Sequence, residues 1–283
     1  MNTIDLAKAY CHCQSIARQH YENFPVASLL LQKDLRKHVA AIYAFARQAD
    51  DLADEGEMPA AQRITALDNT INTLYACLDG MPATNPVDLA ISHTIKTFNL
   101  PVSLFSDLIS AFRQDVTKKR YADFAEVLNY CQRSANPIGR LMLHLYDQTD
   151  ADSLTQSDAI CSALQLINFF QDLQQDYHES GRIYIPQQEM TALNITDQHF
   201  ADAINDAAMR ELMQLQYQRA AALLQQGAML GKRLSGRFGL EIRLIIAGGQ
   251  RIVWKLNRQQ NLFLRPRLTL NDKLWMLYTA LLS

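Results

Sequence analysis

Residues that interrupt helices are scarce in this chain. Its 283 residues include only 10 glycines and 8 prolines, about half the share that average usage predicts. The many tight turns of an all-β sandwich or a glycine-rich repeat protein are therefore excluded. Positive charge is not in excess either: Lys and Arg number 27 against 29 Asp and Glu, which argues against a general nucleic-acid binder. No segment reaches the roughly 18 uncharged residues of a membrane span. One of the longest uncharged runs, between Asp158 and Asp172, stops well short. The opening MNTIDLAKAY puts Asp5 and Lys8 where a secretion signal needs an unbroken apolar core. The cysteines Cys11, Cys13, Cys77, Cys131 and Cys161 form no C-x-x-C pair, so a reducing cytoplasm is the natural expectation. Cys11-His12-Cys13 suits no tetrahedral zinc site and reads as part of a first helix. Neither a G-x-x-x-x-G-K-[ST] phosphate loop nor a G-x-G-x-x-G fingerprint occurs, which argues against a kinase or a nicotinamide enzyme.

What remains is a globular balance, 48% hydrophobic and 20% charged, written in helical periods. Over 35–54 the apolar residues Val39, Ile42, Tyr43, Ala46 and Ala49 recur at three- and four-residue steps. Similar patterns predict helices over 60–78, 88–98, 101–116, 122–133, 137–146, 157–178, 197–226 and 228–257, with Arg265-Pro266 opening a last one. Gly181 stands where a left-handed helix cap is wanted, and Ile183-Tyr184-Ile185-Pro186 reads as an extended connector. Strand-like alternation is nearly absent and no Pro- or Ser-rich linker appears. The expectation is one all-helical domain over 1–283. Its apolar C-terminal stretch, LWMLYTALLS, suits either a bilayer surface or a packed terminal helix.

Two acidic pairs stand out, Asp50 with Asp54 and Asp172 with Asp176. A four-residue step turns a helix by about 400°, so each pair shares a face. Like charges at that spacing repel, whereas a divalent cation converts them into ligands, and magnesium typically takes one or two carboxylates plus substrate phosphates. Spacing alone is weak evidence, because Asp202 and Asp206 repeat it. Context separates the pairs: Ala46, Tyr43 and Val39 precede Asp50, and Asn168, Phe169, Gln165 and Cys161 precede Asp172, both inward-looking stripes. Asp202 follows Gln198 and His199, a solvated face. The competing reading of the first two pairs is ordinary acidic surface near helix ends. Arg47 and Arg182 lie close in sequence and are suited either to phosphate oxygens or to neighbouring aspartates.

YAFARQADDLADE, YADFAEVLNYCQRSANPIG and LQLINFFQDLQQDYHESGRIYIP, in that order, resemble the squalene/phytoene synthase family. The resemblance covers about 20–186, and HYENFPVAS and SANPIG are most similar to its hydroxysqualene-forming branch of bacterial hopanoid biosynthesis. It implies an all-α, single-domain isoprenoid-synthase fold with a central active-site cavity. It further implies Mg²⁺ held by Asp50, Asp54, Asn168, Asp172 and Asp176. By the same resemblance Tyr43, Arg47, Gln165 and Arg182 lie near a prenyl diphosphate. Tyr130 lies beside cationic intermediates, and His20 and Phe24 at the cavity mouth. Phe24, Phe169 and Phe170 are candidates for its lining. Three positions depart from the family: Gln171 replaces an Arg, Glu22 a basic or small residue, and Asn136-Pro137 an Ala-Gly step. The first two remove positive charge from the diphosphate region.

The implied reaction converts presqualene diphosphate and water to hydroxysqualene and diphosphate, a carbon–oxygen lyase chemistry in which Asp50, Asp172 and Tyr130 are catalytic. One alternative is a squalene or presqualene diphosphate synthase joining two farnesyl diphosphates. Another is a non-catalytic helical partner subunit, although such proteins usually lose motif carboxylates and all four are present. The expected partner is the prenyl diphosphate, with no nucleic acid. The expected location is the cytoplasm, with peripheral contact at the inner membrane as an extension suggested by a lipid-like substrate. No sequence feature specifies an oligomeric state.

Overall fold

A computed structural model of the chain describes residues 5–19, 30–54 and 56–282. Helices are the regular secondary structure of these residues, with one isolated parallel bridge, Tyr121 to Pro186, in place of any sheet among them. They group into two compact units. The first comprises the described residues of Met1–Thr117 with Arg140–Thr149, and the second Lys118–Gly139 with the described residues of Asp150–Ser283.

The first unit holds α1 (Leu6–Gln19), α2 (Arg36–Asp54), α3 (Ala60–Leu78), α4 (Pro86–Phe98) and α5 (Val102–Thr117). Small residues allow α2 to be packed closely: Ala41, Ala44 and Ala49 are fully buried, and Phe45 meets Phe105 edge-on at 5.4 Å. Helices α1, α4 and α5 all contact α2. The ends of α4 follow from local chemistry. The Asn85 side chain accepts the Asp88 N–H at 2.9 Å, Pro86 follows it, and Asn99 closes the helix in the left-handed region at φ 50°. Cys11 and Cys13 lie on α1, the first exposed and the second buried. A polar knot is buried within this unit. The Tyr10 hydroxyl lies 3.1 Å from His38 Nδ1, 2.9 Å from His93 Nδ1 and 3.0 Å from Thr94 Oγ1.

The second unit begins with α6 (Phe124–Ser134) and the first four residues of α7 (Asn136–Leu145), whose remainder belongs to the first unit. It continues with α8 (Ala151–Gln171), α9 (Leu173–Ser180), α10 (Gln187–Ala192), α11 (Asp197–Ala201), α12 (Ala207–Gly227), α13 (Leu230–Arg233), α14 (Gly236–Leu256) and α15 (Leu270–Leu282). The α8–α12 pair forms its centre. A Cβ at Gly227 would stand 2.4 Å from Ile160 Cγ1 and 2.7 Å from the Gln156 carbonyl oxygen, so only glycine permits this approach. None of the described helices is long and apolar enough to cross a membrane.

Several helix boundaries differ from those that periodicity predicts, each for a local reason. The Asp150 carboxylate accepts from the Ser153 N–H and hydroxyl and starts α8 six residues early. The 197–226 pattern divides because Ala203 is left-handed at φ 52° and Asp206 caps α12 by accepting from the Met209 N–H. The 228–257 pattern divides at extended Leu234 and Ser235. Arg265-Pro266 precede the last helix without opening it. The Thr269 N–H and hydroxyl donate to Asp272, and the helix starts there.

Burial lowers the His38 pKa from 6.5 to about 4, with the charges of Lys37 and His93 adding to the effect. The unfolded chain therefore takes the proton first. Stability is full above about pH 6.5 and is lost as the pH falls toward 4, by about 2 kcal/mol between pH 7 and 5 from this group. Burial shifts His144 in the same direction. Urea unfolding at the two pH values should show this loss, and His38→Gln should retain less than half of it.

Candidate active site

Tyr43, Arg47, Asp50 and Asp54 follow one stripe of α2 at helical spacing. The Arg47 guanidinium reaches Asp50 at 3.3 Å and the intervening Asp51 at 2.6 Å. Three acidic side chains thus crowd the carboxyl end of α2, where the helix dipole is negative and no basic residue occupies the last turn. Arg63 from α3 relieves the same end. Its guanidinium donates to the carbonyl oxygens of Met58 at 2.8 Å, Leu52 at 3.0 Å and Gly56 at 2.5 Å, and the residue is buried. It thereby fixes the loop that leaves Asp54.

Gln165, Asn168, Asp172 and Asp176 form the corresponding stripe on α8 and α9. The helix is interrupted at Asp172, which has φ −112° and ψ 18°. Two four-residue hydrogen bonds nonetheless carry the register through the break: Asp172 N–H donates to Asn168 O at 3.0 Å, and Asp176 N–H to Asp172 O at 2.8 Å. Gly181 then closes α9 in the left-handed region at φ 68°, and the Arg182 N–H returns to Asp176 O at 3.1 Å. This turn brings the Arg182 backbone against Asp176 and leaves its side chain buried. Burial pushes the Asp172 carboxyl up from the ordinary carboxylate range. Arg265 draws it partway back, and Glu179 adds to the rise. The Arg265 Nε lies 3.1 Å from Asp172 Oδ1.

Gln171 is buried and its side-chain amide donates to the Pro266 carbonyl at 2.8 Å. The residue that departs from the family pattern therefore clips down the segment carrying Arg265. Asn136, the other departure in this unit, accepts a buried hydrogen bond from Ser162 at 2.9 Å. Glu22, His20 and Phe24 lie outside the described residues.

Tyr130 of α6 is 4% exposed and belongs to a cluster of four buried rings. Phe169 stacks on Tyr184 at 3.6 Å with an interplanar angle of 4°, and Tyr121 and Tyr130 complete the group at 5.4–6.0 Å. The extended connector supplies Tyr184. It is held to the 119–122 segment by bonds from Ile183 N–H to Lys119 O and from Gln187 N–H to Tyr121 O, at 3.0 and 2.8 Å. Phe170 turns elsewhere, edge-on to Tyr217 at 5.6 Å.

Sequence reasoning missed Asp51, Arg63, Tyr121, Tyr184 and Arg265. Tyr184 was signalled by the apolar connector, whereas Arg265 carries no local signal. The decoy pair resolves simply: Asp206 is a helix cap, and Asp202 accepts from Gln198. Among the described residues no three His, Cys, Asp or Glu side chains converge to hold an ion unaided. Two carboxylates per stripe nevertheless suit magnesium, which completes its shell with water and phosphate oxygens. A half-buried carboxylate such as Asp172 needs a cation beside it.

A family model described as squalene/phytoene synthase matches residues 17–273. The chain is 34% identical over 248 residues to a hydroxysqualene synthase of Rhodopseudomonas palustris, covering 87% of this chain and 83% of that protein. It is 30% identical over 225 residues to a 15-cis-phytoene synthase of Synechocystis, covering 75% and 66% respectively. A solved squalene synthase from Alicyclobacillus acidocaldarius shares the fold with a TM-score of 0.83 at 34% identity, over 91% of this chain and 97% of that one.

Replacing Arg63 with Met keeps the aliphatic stem and removes all three donors. The variant should lose about 3 kcal/mol in urea unfolding, and limited proteolysis should cut first between Leu52 and Met58. Unchanged cleavage there would show that Arg63 does not hold the loop.

Proposed function

The chain belongs to the squalene/phytoene synthase family, whose enzymes process prenyl diphosphates, and from that premise we propose that it converts presqualene diphosphate and water to hydroxysqualene and diphosphate. The observation that carries the reading is the guanidinium beside each acidic stripe, Arg47 against Asp50 and Asp51 and Arg265 against Asp172. Carboxylates suited to divalent cations and guanidiniums suited to phosphate oxygens are what a diphosphate requires. The choice of presqualene diphosphate is supported by identity to hydroxysqualene synthases and by Gln171, whose amide is spent on a backbone carbonyl and brings no charge.

In this reading Asp50, Asp54, Asn168, Asp172 and Asp176 are the residues that would hold magnesium. Bound there, magnesium would neutralise the diphosphate and make it a better leaving group. Tyr43, Arg47, Gln165 and Arg182 orient the diphosphate oxygens, and His20 and Phe24 flank the substrate's entry. The carbon–oxygen bond breaks with its electron pair leaving on the diphosphate, and a cyclopropylcarbinyl cation remains. The buried face of Tyr130 stabilises positive charge without attacking it, and the surrounding rings exclude bulk water. After ring opening one water oxygen bonds to the cation, and its proton passes to the released diphosphate or to the Tyr130 oxygen. Similarity to a phytoene synthase favours a second reading, head-to-head condensation of two prenyl diphosphates.

Product analysis separates the two. Hydroxysqualene should form from presqualene diphosphate with magnesium, without a reduced nicotinamide, and be lost in excess chelator. Product from farnesyl diphosphate alone would favour the condensation reading. Asp50→Asn and Asp172→Asn should each lower turnover about a hundredfold or more with helicity intact, and near-normal rates in both would remove the metal assignment.

A further inference from the structure

The last helix is amphipathic in the inverted sense. Its inner face is narrow and small, made of buried Asp272 and Ala280 with partly buried Met276 and Thr279. Arg251 reaches the Asp272 carboxylate at 2.5 Å and Lys255 reaches it at 2.6 Å, while Arg243 Nε donates to the Ala280 carbonyl at 2.7 Å. A Cβ on Gly248 would stand 3.1 Å from the Met276 methyl, so α14 offers a flat seat. The helix is therefore pinned at both ends. Its outer face is the apolar one. Leu270, Leu274, Leu277, Tyr278, Leu281 and Leu282 are between 44% and 73% exposed, with Trp275 at their edge. At 100° per residue they cover an arc of about 160°.

The chemistry around this face identifies what covers it. Residues 250–283 carry six Lys and Arg and one acid, in a chain whose net charge is −2. That acid, Asp272, faces inward and is already neutralised. The exposed cations Arg258, Arg267 and Lys273 are left without an acid in this segment. Trp254 is also exposed and lies against Arg251 and Arg258, at 4.0 and 4.6 Å from its ring centre. Leucines bordered by tryptophan, tyrosine and long cationic side chains match the layering of a bilayer interface. A second copy of the chain fits less well. A 13-residue helix is about 20 Å long and about 10 Å wide, a footprint well below the ~800 Å² per partner of a stable dimer. A lipid surface needs no shape complementarity.

We propose that the outer face of α15, rimmed by Trp254, Arg258, Arg267 and Lys273, docks the protein on the surface of an anionic phospholipid bilayer. The helix lies in the plane of the interface with its leucines below the headgroups and the cations among the phosphates. This docking is independent of the reaction catalysed.

Co-sedimentation of the full chain with vesicles tests it. Binding to mixed phosphatidylglycerol–phosphatidylcholine vesicles should exceed binding to phosphatidylcholine alone by about tenfold or more. Leu274→Glu/Leu281→Glu should lower it about tenfold or more, with circular dichroism unchanged because both positions are exposed. Arg267→Glu/Lys273→Glu should erase the preference for the anionic lipid. The proposal is overturned if wild-type protein stays in the supernatant, or if the leucine variant pellets as wild type does. It is also overturned if wild type sediments as a dimer that the leucine variant dissociates while neither form binds vesicles.

Discussion

Acid gathered at helix ends is the constraint around which both stripes are arranged. The carboxyl end of α2 holds Asp50, Asp51 and Asp54 against an unfavourable dipole, and Asp172 sits half-buried at the break between α8 and α9. Each arrangement persists because cations are brought to it from outside the stripe or from one turn away. Arg47 bridges two of the α2 aspartates. Arg63 takes up the carbonyls beyond them, and Arg265 arrives from near the C-terminus of the chain.

The α2 stripe was legible in the sequence because its helix is continuous, so residue spacing translates directly into a shared face. The α8–α9 stripe was legible only in part. Its spacing was readable, but the interruption at Asp172 was not, since two hydrogen bonds preserve the register that periodicity detects. Caps account for most of the misplaced boundaries. Asp150, Asp206 and Asp272 each accept from a backbone N–H three residues away, and a periodic pattern is blind to that. Arg265 lies 93 positions from its aspartate, and nothing local announces such a contact.

Context distinguished the functional-looking acids from the structural ones. Asp202 and Asp206 repeat the four-residue spacing, yet one accepts from a neighbouring glutamine and the other starts a helix. The fate of Gln171 makes the complementary point. Read alone it is a lost charge; in the fold its amide holds Pro266, and the residue before that proline carries a guanidinium to Asp172.

The chain has two tryptophans, and both stand close to the Arg251 guanidinium, which lies 4.0 Å from the Trp254 ring and 5.3 Å from Trp275. Indole emission therefore originates entirely from the α14–α15 corner. A melting curve recorded by that optical signal follows the end of the second unit, while α1–α5 melt unseen. Agreement between indole emission and far-ultraviolet ellipticity would then test whether the two units unfold as one cooperative body.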